Sequence, residues 1–334
     1  MMQKNNKQQG MALIIVLLVL SVMTAIASQL FRSNEVLVNK YTSSQDIEQA
    51  YFYALSFEAL AKEVLRNDFK DSPTNTHLNQ FWANKDKVPF PVTYGVISGE
   101  IQDLQACFNI NALAEPLSEQ ERQNNPSGMT LAEKQFYNIL IAEGFEDSFA
   151  RSITDKIGDF VDNDDDIRGL FGEESSSYQS RLYPYNAANH LMAHHSELRA
   201  VLGISQELYK ILIKNICVIP NEDKQQLNVN TITIEQSGLL SGMLEGKISI
   251  DEAKRILSSR PDYGWDNITS FFAQSDFVNL KLSPKLKATF TVKTKYFKAI
   301  GNVEVNNFTL QTESVLQREN GKFFVLTRQY GGQG

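Results

Sequence analysis

From Met11 to Ser72 the chain contains neither glycine nor proline, the two residues that most reliably end a helix. Pro73 is the first break. The opening of this stretch, MALIIVLLVLSVMTAIASQLF from Met11 to Phe31, carries no charge over 21 residues, enough for a helix to cross a hydrocarbon core of about 30 Å. Beyond Arg32, apolar residues continue at roughly helical spacing through Val36, Leu37, Tyr41, Ile47, Tyr51, Ala54, Leu55, Phe57, Leu60, Ala61, Val64 and Leu65. The pattern predicts one helix of about 55–60 residues and about 80–90 Å, its first part in lipid and the rest packed on a domain.

Residues 1–10 (MMQKNNKQQG) are polar. Lys4 and Lys7 precede the apolar run and only Arg32 follows closely, which favours a cytoplasmic start and an exported body. Three segments begin this way: a secretory signal peptide with Ala25-Ile26-Ala27 as its cleavage site, a plain signal anchor, and a prepilin-type leader cut after Gly10. A signal peptide has no need of a helical continuation to Ser72, and the polar leader ending in glycine favours the third. Gln9-Gly10-Met11-Ala12-Leu13-Ile14-Ile15 resembles the processing site of type II secretion pseudopilins. The resemblance implies that a prepilin peptidase cleaves after Gly10 and methylates the amine of Met11. One position departs from the family pattern: Ile15 stands where most pilins and pseudopilins carry a glutamate that neutralises the neighbouring subunit's amino terminus. A subunit without that carboxylate is ill suited to docking behind a predecessor, but it can sit first, at the tip.

A chain of 334 residues allows two or three domains. Its 32 Lys+Arg against 39 Asp+Glu give a net charge of −7 with no basic block, which argues against nucleic-acid binding. Charged residues at 21% and hydrophobic ones at 42% exclude a disordered chain, and nine prolines with 18 glycines exclude a fibrous one. Alternation in Val92–Ile110 suggests two strands joined near Ser98-Gly99. Helices are expected at Thr130–Glu143, Asp147–Val161, Ser196–Leu202, Ser205–Ile213, Thr233–Leu244, Ser249–Ser259 and Asp266–Ala273, most opening with Ser, Thr or Asp. Strands return at Thr289–Ala299, Asn302–Gln317 and Lys322–Tyr330, with a hairpin signal at Glu319-Asn320-Gly321. The Gly-Gly-Gln-Gly end reads as a loose tail.

This order implies an α+β domain with a large helical insertion. It resembles the protein K family of the type II secretion system, large minor pseudopilins. Besides the leader, the resemblance rests on Phe108-Asn109-Ile110-Asn111, Asp159-Phe160-Val161-Asp162-Asn163-Asp164, Tyr183-Pro184-Tyr185-Asn186-Ala187-Ala188-Asn189, Ser196-Glu197-Leu198, Leu227-Asn228-Val229-Asn230-Thr231 and Thr294-Lys295-Tyr296-Phe297. It implies a pilin-like long N-terminal helix packed on an antiparallel β-sheet, with a large all-α insertion domain. The expected divisions are a leader (1–10), a transmembrane segment (11–31), the pilin-like helix and first strands (32–112), a helical insertion (113–284, with 231–284 SAM-like) and the last strands of the sheet (285–334). It further implies a single-pass inner-membrane protein with its bulk in the periplasm. The expected role is capping the pseudopilus tip and helping to initiate assembly for export, with minor pseudopilins I and J as partners and H joining below. Two other readings of the sequence are a membrane-anchored periplasmic binding module and a minor pilin of a type IV pilus or competence system.

The strongest site candidate is Asp162-Asn163-Asp164-Asp165-Asp166 with Glu173 and Glu174. Asp162, Asp164, Asp166 and Glu173 fall at positions 1, 3, 5 and 12 of an EF-hand count, which suits Ca²⁺ better than the more demanding Mg²⁺. Ile167 stands where that loop requires glycine, so a true EF-hand is rejected. The family resemblance aligns Asp162, Asp164 and Glu174 with an acidic calcium loop. A solvated acidic loop is the plainer alternative. His190, His194 and His195 lack the spacing of known zinc motifs and read as an exposed helix start. No nucleophile stands beside a base, and no GxSxG, Walker loop or GxGxxG occurs, so no enzyme is expected. The turn Pro261-Asp262-Tyr263-Gly264 between two short helices has too few basic neighbours for DNA and suits protein contacts. Two cysteines are too few for a disulfide scaffold or a Cys-based zinc site. A Cys107–Cys217 bridge would close a loop of about 110 residues and contribute about 2–4 kcal/mol, and the sequence leaves open whether the two approach.

Overall fold

A computed structural model of the chain describes residues 7–84, 89–117 and 128–331. Residues 1–6 of the leader and 332–334 of the glycine-rich tail lie outside the described residues. The long apolar run is one helix, α1, spanning Lys7–Asp71. From Gly10 to Gln45 its residues are exposed, and the buried stripe runs Ala50, Ala54, Phe57, Glu58, Ala61, Leu65 and Phe69, spaced to fall on one face. Packing therefore starts later than the apolar pattern suggests: Val36, Leu37, Tyr41 and Ile47 are exposed. The body reaches this end of the helix through Asn306, whose Nδ2 donates to Asp46 Oδ1 (2.8 Å).

The strands, in chain order, are β1 (Phe90–Val92), β2 (Gly95–Asp103), β3 (Phe108–Asn109), β4 (Ile216–Cys217), β5 (Leu227–Asn228), β6 (Phe290–Thr291), β7 (Tyr296–Val305), β8 (Phe308–Glu319) and β9 (Lys322–Tyr330). The main sheet has the order β1-β2-β7-β8-β9, with every neighbouring pair antiparallel. The hairpin at Asn320-Gly321 forms as expected, both residues at positive φ (49° and 76°).

The turn expected near Ser98-Gly99 does not form, and the gap left between the expected strands Thr289–Ala299 and Asn302–Gln317 is continuous strand. Gly99 and Gly301 both lie inside strands, directly paired across β2 and β7, while the chain reverses at Tyr94 and Asn306, each at positive φ. The reason lies on α1. A Cβ at Gly99 would fall into the ring of Phe57, and one at Gly301 would lie 2.5 Å from Phe57 Cδ1 and 2.8 Å from Thr312 Cγ2. The paired glycines form a slot for that ring, a use of strand glycine as close approach rather than reversal. Beside it, buried Glu58 accepts from Ser314 Oγ (3.0 Å) and Arg328 Nη2 (3.0 Å), tying α1 to β8 and β9.

Between β2 and β7 the chain builds a helical block. Its helices are α2 (Leu131–Ala142), α3 (Asp147–Val161), α4 (Ser175–Gln179), α5 (Gln206–Leu212), α6 (Ser237–Met243), α7 (Ile250–Ser258), α8 (Ile268–Phe272) and α9 (Pro284–Lys287). Thr130 with Glu133 and Ser249 with Glu252 form capping boxes, while Ser205, Asn267 and Ser283 also cap starts. The segment expected as a helix near Ser196 is a 3₁₀ turn, His195–Ala200; α4 and α9 are too short to have shown a periodicity. The Pro261–Gly264 turn contacts the chain itself: Asn75 Nδ2 donates to Tyr263 O (2.9 Å), and just after the turn Asn230 donates to the Trp265 carbonyl (3.0 Å) and accepts from its N–H (2.8 Å).

Several ties join block and sheet. Cys107 and Cys217 form a disulfide with Cα atoms 5.8 Å apart across 110 residues of chain. The parallel pairs β3–β4 and β5–β6 stitch the block where it leaves and rejoins the sheet. At the end of β2, buried Asp103 accepts from Thr231 Oγ1 (2.6 Å), Thr294 Oγ1 (2.6 Å) and Asn228 Nδ2 (3.2 Å).

The slot predicts a non-additive pair of substitutions. Gly301→Ala should destabilise by about 1–3 kcal/mol through overpacking and Phe57→Ala by about 3–5 kcal/mol through cavity formation. The double variant should lose measurably less than the sum in urea unfolding, because the vacated ring space accepts the new methyl. Simple additivity would show that ring and glycine do not meet.

Candidate functional site

Helix α3 presents Asp155, Asp159 and Asp162 at i, i+4 and i+7, one face of the helix. The face is buried, and the loop after α3 folds back over it. Arg168 is central to that loop. Its backbone N–H donates to Asp159 Oδ1 (3.0 Å) and its Nε to Asp162 Oδ2 (2.7 Å). Its Nη1 reaches Leu113 O (2.7 Å) and Glu133 Oε1 (3.1 Å). Gly172 follows where only glycine fits, since a Cβ there would meet Asp159 Oδ2 and lie 2.6 Å from Arg168 O. The chain then delivers Glu174, the residue before α4, into the same place.

Asp159, Asp162 and Glu174 offer carboxylate oxygens within 4.8 Å of one another, and their residues are 0%, 3% and 3% exposed. Asp162 Oδ1 and both oxygens of Glu174 are buried with no hydrogen-bond partner. Bare buried carboxylate oxygens are costly, and like charges at this distance repel. Burial first, then the neighbouring carboxylates, push Asp159 up to about 7, Asp162 to about 6 and Glu174 to about 8. Asn189 borders the loop, donating from Nδ2 to Asp164 O (2.9 Å) and Asp165 Oδ1 (3.1 Å), with its own Oδ1 buried and unpartnered.

Of the five residues singled out in the sequence, the structure brings together Asp162 and Glu174. Asp164 and Asp166 are exposed, and Asp164 Oδ1 accepts from the N–H of Asp166 (2.9 Å). Glu173 turns to Lys156 Nζ (3.5 Å). Asp159 is the residue that a linear loop count misses; its signal was the i, i+4, i+7 spacing of aspartates that sets them on the buried face of an amphipathic helix. The set is all hard oxygen, buried, and short of positive charge. Those properties fit a divalent cation of the calcium kind, with Asp159, Asp162 and Glu174 as its protein ligands. Gly10 and Met11, the processing candidates, lie exposed in the first turns of α1.

Comparison with known proteins places these features in a family. Residues 106–221 and 227–293 match two family models of type II secretion system protein K. The protein K of Aeromonas hydrophila is 38% identical over 327 residues, covering 98% of both chains. That of Klebsiella pneumoniae is 32% identical over 335 residues, again covering 98% of both. Among solved structures, the GspK–GspI–GspJ complex of the enterotoxigenic Escherichia coli type 2 secretion system matches at TM-score 0.78 and 30% identity, covering 88% of this chain and all of that one.

The acidic cluster predicts a proton-linked calcium response. The folded protein without a cation holds protons that the unfolded chain has released, whereas a bound cation requires the carboxylates ionised. The rise in unfolding midpoint on adding calcium to chelated protein should therefore grow as pH increases from about 5 to about 8. At a hundredfold excess over Kd the gain should be about 2.7 kcal/mol, and Glu174→Gln should abolish it while stabilising the chelated protein. A gain independent of pH, or retained in the variant, would place the cation elsewhere.

Proposed function

The chain belongs to the type II secretion system protein K family, and on that premise we propose that it is a minor pseudopilin that caps the pseudopilus tip and helps to initiate its assembly for export across the outer membrane. It works by assembly, without catalysis of its own. In this reading a prepilin peptidase cuts after Gly10 and methylates Met11, and the mature chain crosses the inner membrane once with its bulk in the periplasm.

The observation that carries the reading is the division of α1. Its buried face begins at Ala50, while Met11–Gln49 spans about 58 Å of helix, nearly twice a hydrocarbon core. The excess, residues 32–49, still exposes Val36, Leu37, Val38, Tyr41 and Ile47. An apolar stretch above the membrane and below the body suits the matching helices of partner pseudopilins. The relative solved with GspI and GspJ supports I and J as those partners; H joining below them follows only from the family resemblance.

Two features support the tip position. Ile15 gives α1 no carboxylate with which to receive a predecessor's amino terminus. The helical block, from β3 to β6, is bulk that a neighbour in a helical shaft would need to occupy. We also assign calcium to Asp159, Asp162 and Glu174, where it would neutralise the cluster and hold the Arg168 loop on α3.

Charge placed on the exposed stretch tests the partner claim. Leu37→Asp or Tyr41→Asp should leave the unfolding midpoint of the periplasmic body unchanged, since both side chains are exposed. Recovery with I and J should fall about tenfold or more, the loss expected from a charge buried at a helix interface. Immunogold labelling of assembled pseudopili should mark one end only. Label along the shaft would overturn the tip assignment, and undiminished recovery would overturn the helix contact.

A further inference from the structure

A second cluster of ligating side chains lies away from the acidic loop, where the helical block meets the face of the sheet that α1 leaves free. A cleft of about 510 Å³ opens there. On the sheet side stands Glu313 of β8, whose neighbour Ser314 turns the other way to bond Glu58 of α1. On the block side stand His194 and His195, at the start of the 3₁₀ turn. The backbone entering this turn is held by Glu197, whose Oε1 accepts from the N–H of Ala193 (2.7 Å) and of His194 (2.9 Å). One donor atom from each of His194, His195 and Glu313 lies within 4.8 Å of the others.

Both imidazoles are oriented by an outer bond. His194 Nδ1 lies 2.8 Å from Ser196 Oγ and 3.3 Å from the Ser196 backbone nitrogen, and His195 Nδ1 lies 2.6 Å from Tyr209 Oη. With the proton on Nδ1 and donated to these hydroxyl oxygens, each imidazole would present Nε2 to an ion, the outer support that ligating histidines normally have. His194 Nε2 is 3.6 Å from Glu313 Oε1. Two imidazoles and a carboxylate form a donor set for a borderline-soft transition metal with a position left for water, and a poor set for oxygen-seeking calcium. His190 takes no part; its Nδ1 lies 2.8 Å from Leu191 O.

We propose that His194, His195 and Glu313 bind one divalent transition-metal ion of the zinc class, pinning the helical block to the sheet. Lys298 Nζ lies 3.6 Å from the same Glu313 oxygen and competes with the ion for it. The proposal therefore carries an unusual sign: removing this lysine strengthens metal binding, although it breaks an ion pair.

The test uses untagged full-length protein in detergent, with saturating calcium present to occupy the acidic cluster. Zinc affinity is read by competition with a chromophoric chelator, and Co²⁺ replaces Zn²⁺ for visible absorption. One equivalent of zinc, and the intense bands of low-coordinate cobalt, are expected. His195→Ala and Glu313→Gln should each weaken binding about tenfold or more, and Lys298→Met should tighten it several-fold. Far-UV circular dichroism of each metal-free variant shows whether it folds, and Lys298→Met stands as the test if a ligand variant does not. Zinc binding retained in His195→Ala, or unimproved in Lys298→Met, would overturn the proposal.

Discussion

In the role proposed for this chain, one helix has to satisfy two surroundings, and the rest of the molecule is arranged around that requirement. Lipid demands that α1 bond its own backbone throughout and present apolar side chains on all sides. The sheet demands a narrow stripe of small and aromatic residues that lets it approach closely. Ala50, Ala54 and Ala61 meet the second demand, and Phe57 fills the slot made by the paired Gly99 and Gly301. Glu58 adds the charged tie to Ser314 and Arg328. The absence of glycine and proline from Met11 to Ser72 keeps the two parts one rigid rod.

The helical block is attached by polar groups rather than by apolar area alone. Asn109 accepts from the N–H of Ile219 (3.1 Å) and donates to Glu222 O (2.7 Å), and Asn111 donates to Met192 O (2.9 Å) and Ile219 O (3.0 Å). Asn228 and Asn230 act in the same way toward Thr76 O (3.3 Å) and Trp265 O (3.0 Å). A carboxamide carries both a donor and an acceptor, so it can replace a strand partner for backbone that has none. Asp103 and the Cys107–Cys217 bridge lie in the same seam.

Local physics was legible in the sequence and distant pairing was not. The capped starts at Thr130, Ser205 and Ser249 are set within four residues, and the helices begin where the caps stand. The hairpin at Asn320-Gly321 is equally local. Gly99 and Gly301 misled because a strand glycine and a turn glycine look alike until Phe57, over 40 residues before one and over 240 before the other, is placed against them. The acidic loop shows the same limit, though Asp162 and Glu174 were among the candidates. A count along the chain grouped Asp162, Asp164, Asp166 and Glu173, whereas the helix face groups Asp159 with Asp162 and the fold returns Glu174 to them. The bond between Cys107 and Cys217 spans 110 residues, a pairing that no local pattern encodes.

The central claim is that α1 enters the membrane as a processed pseudopilin helix and remains on the protein. Intact-mass and N-terminal analysis of the chain extracted from its native membrane tests this most directly. The account predicts a mature chain that begins at N-methylated Met11. A chain beginning at Ser28, with the apolar segment removed, or one that retains Met1, would contradict it.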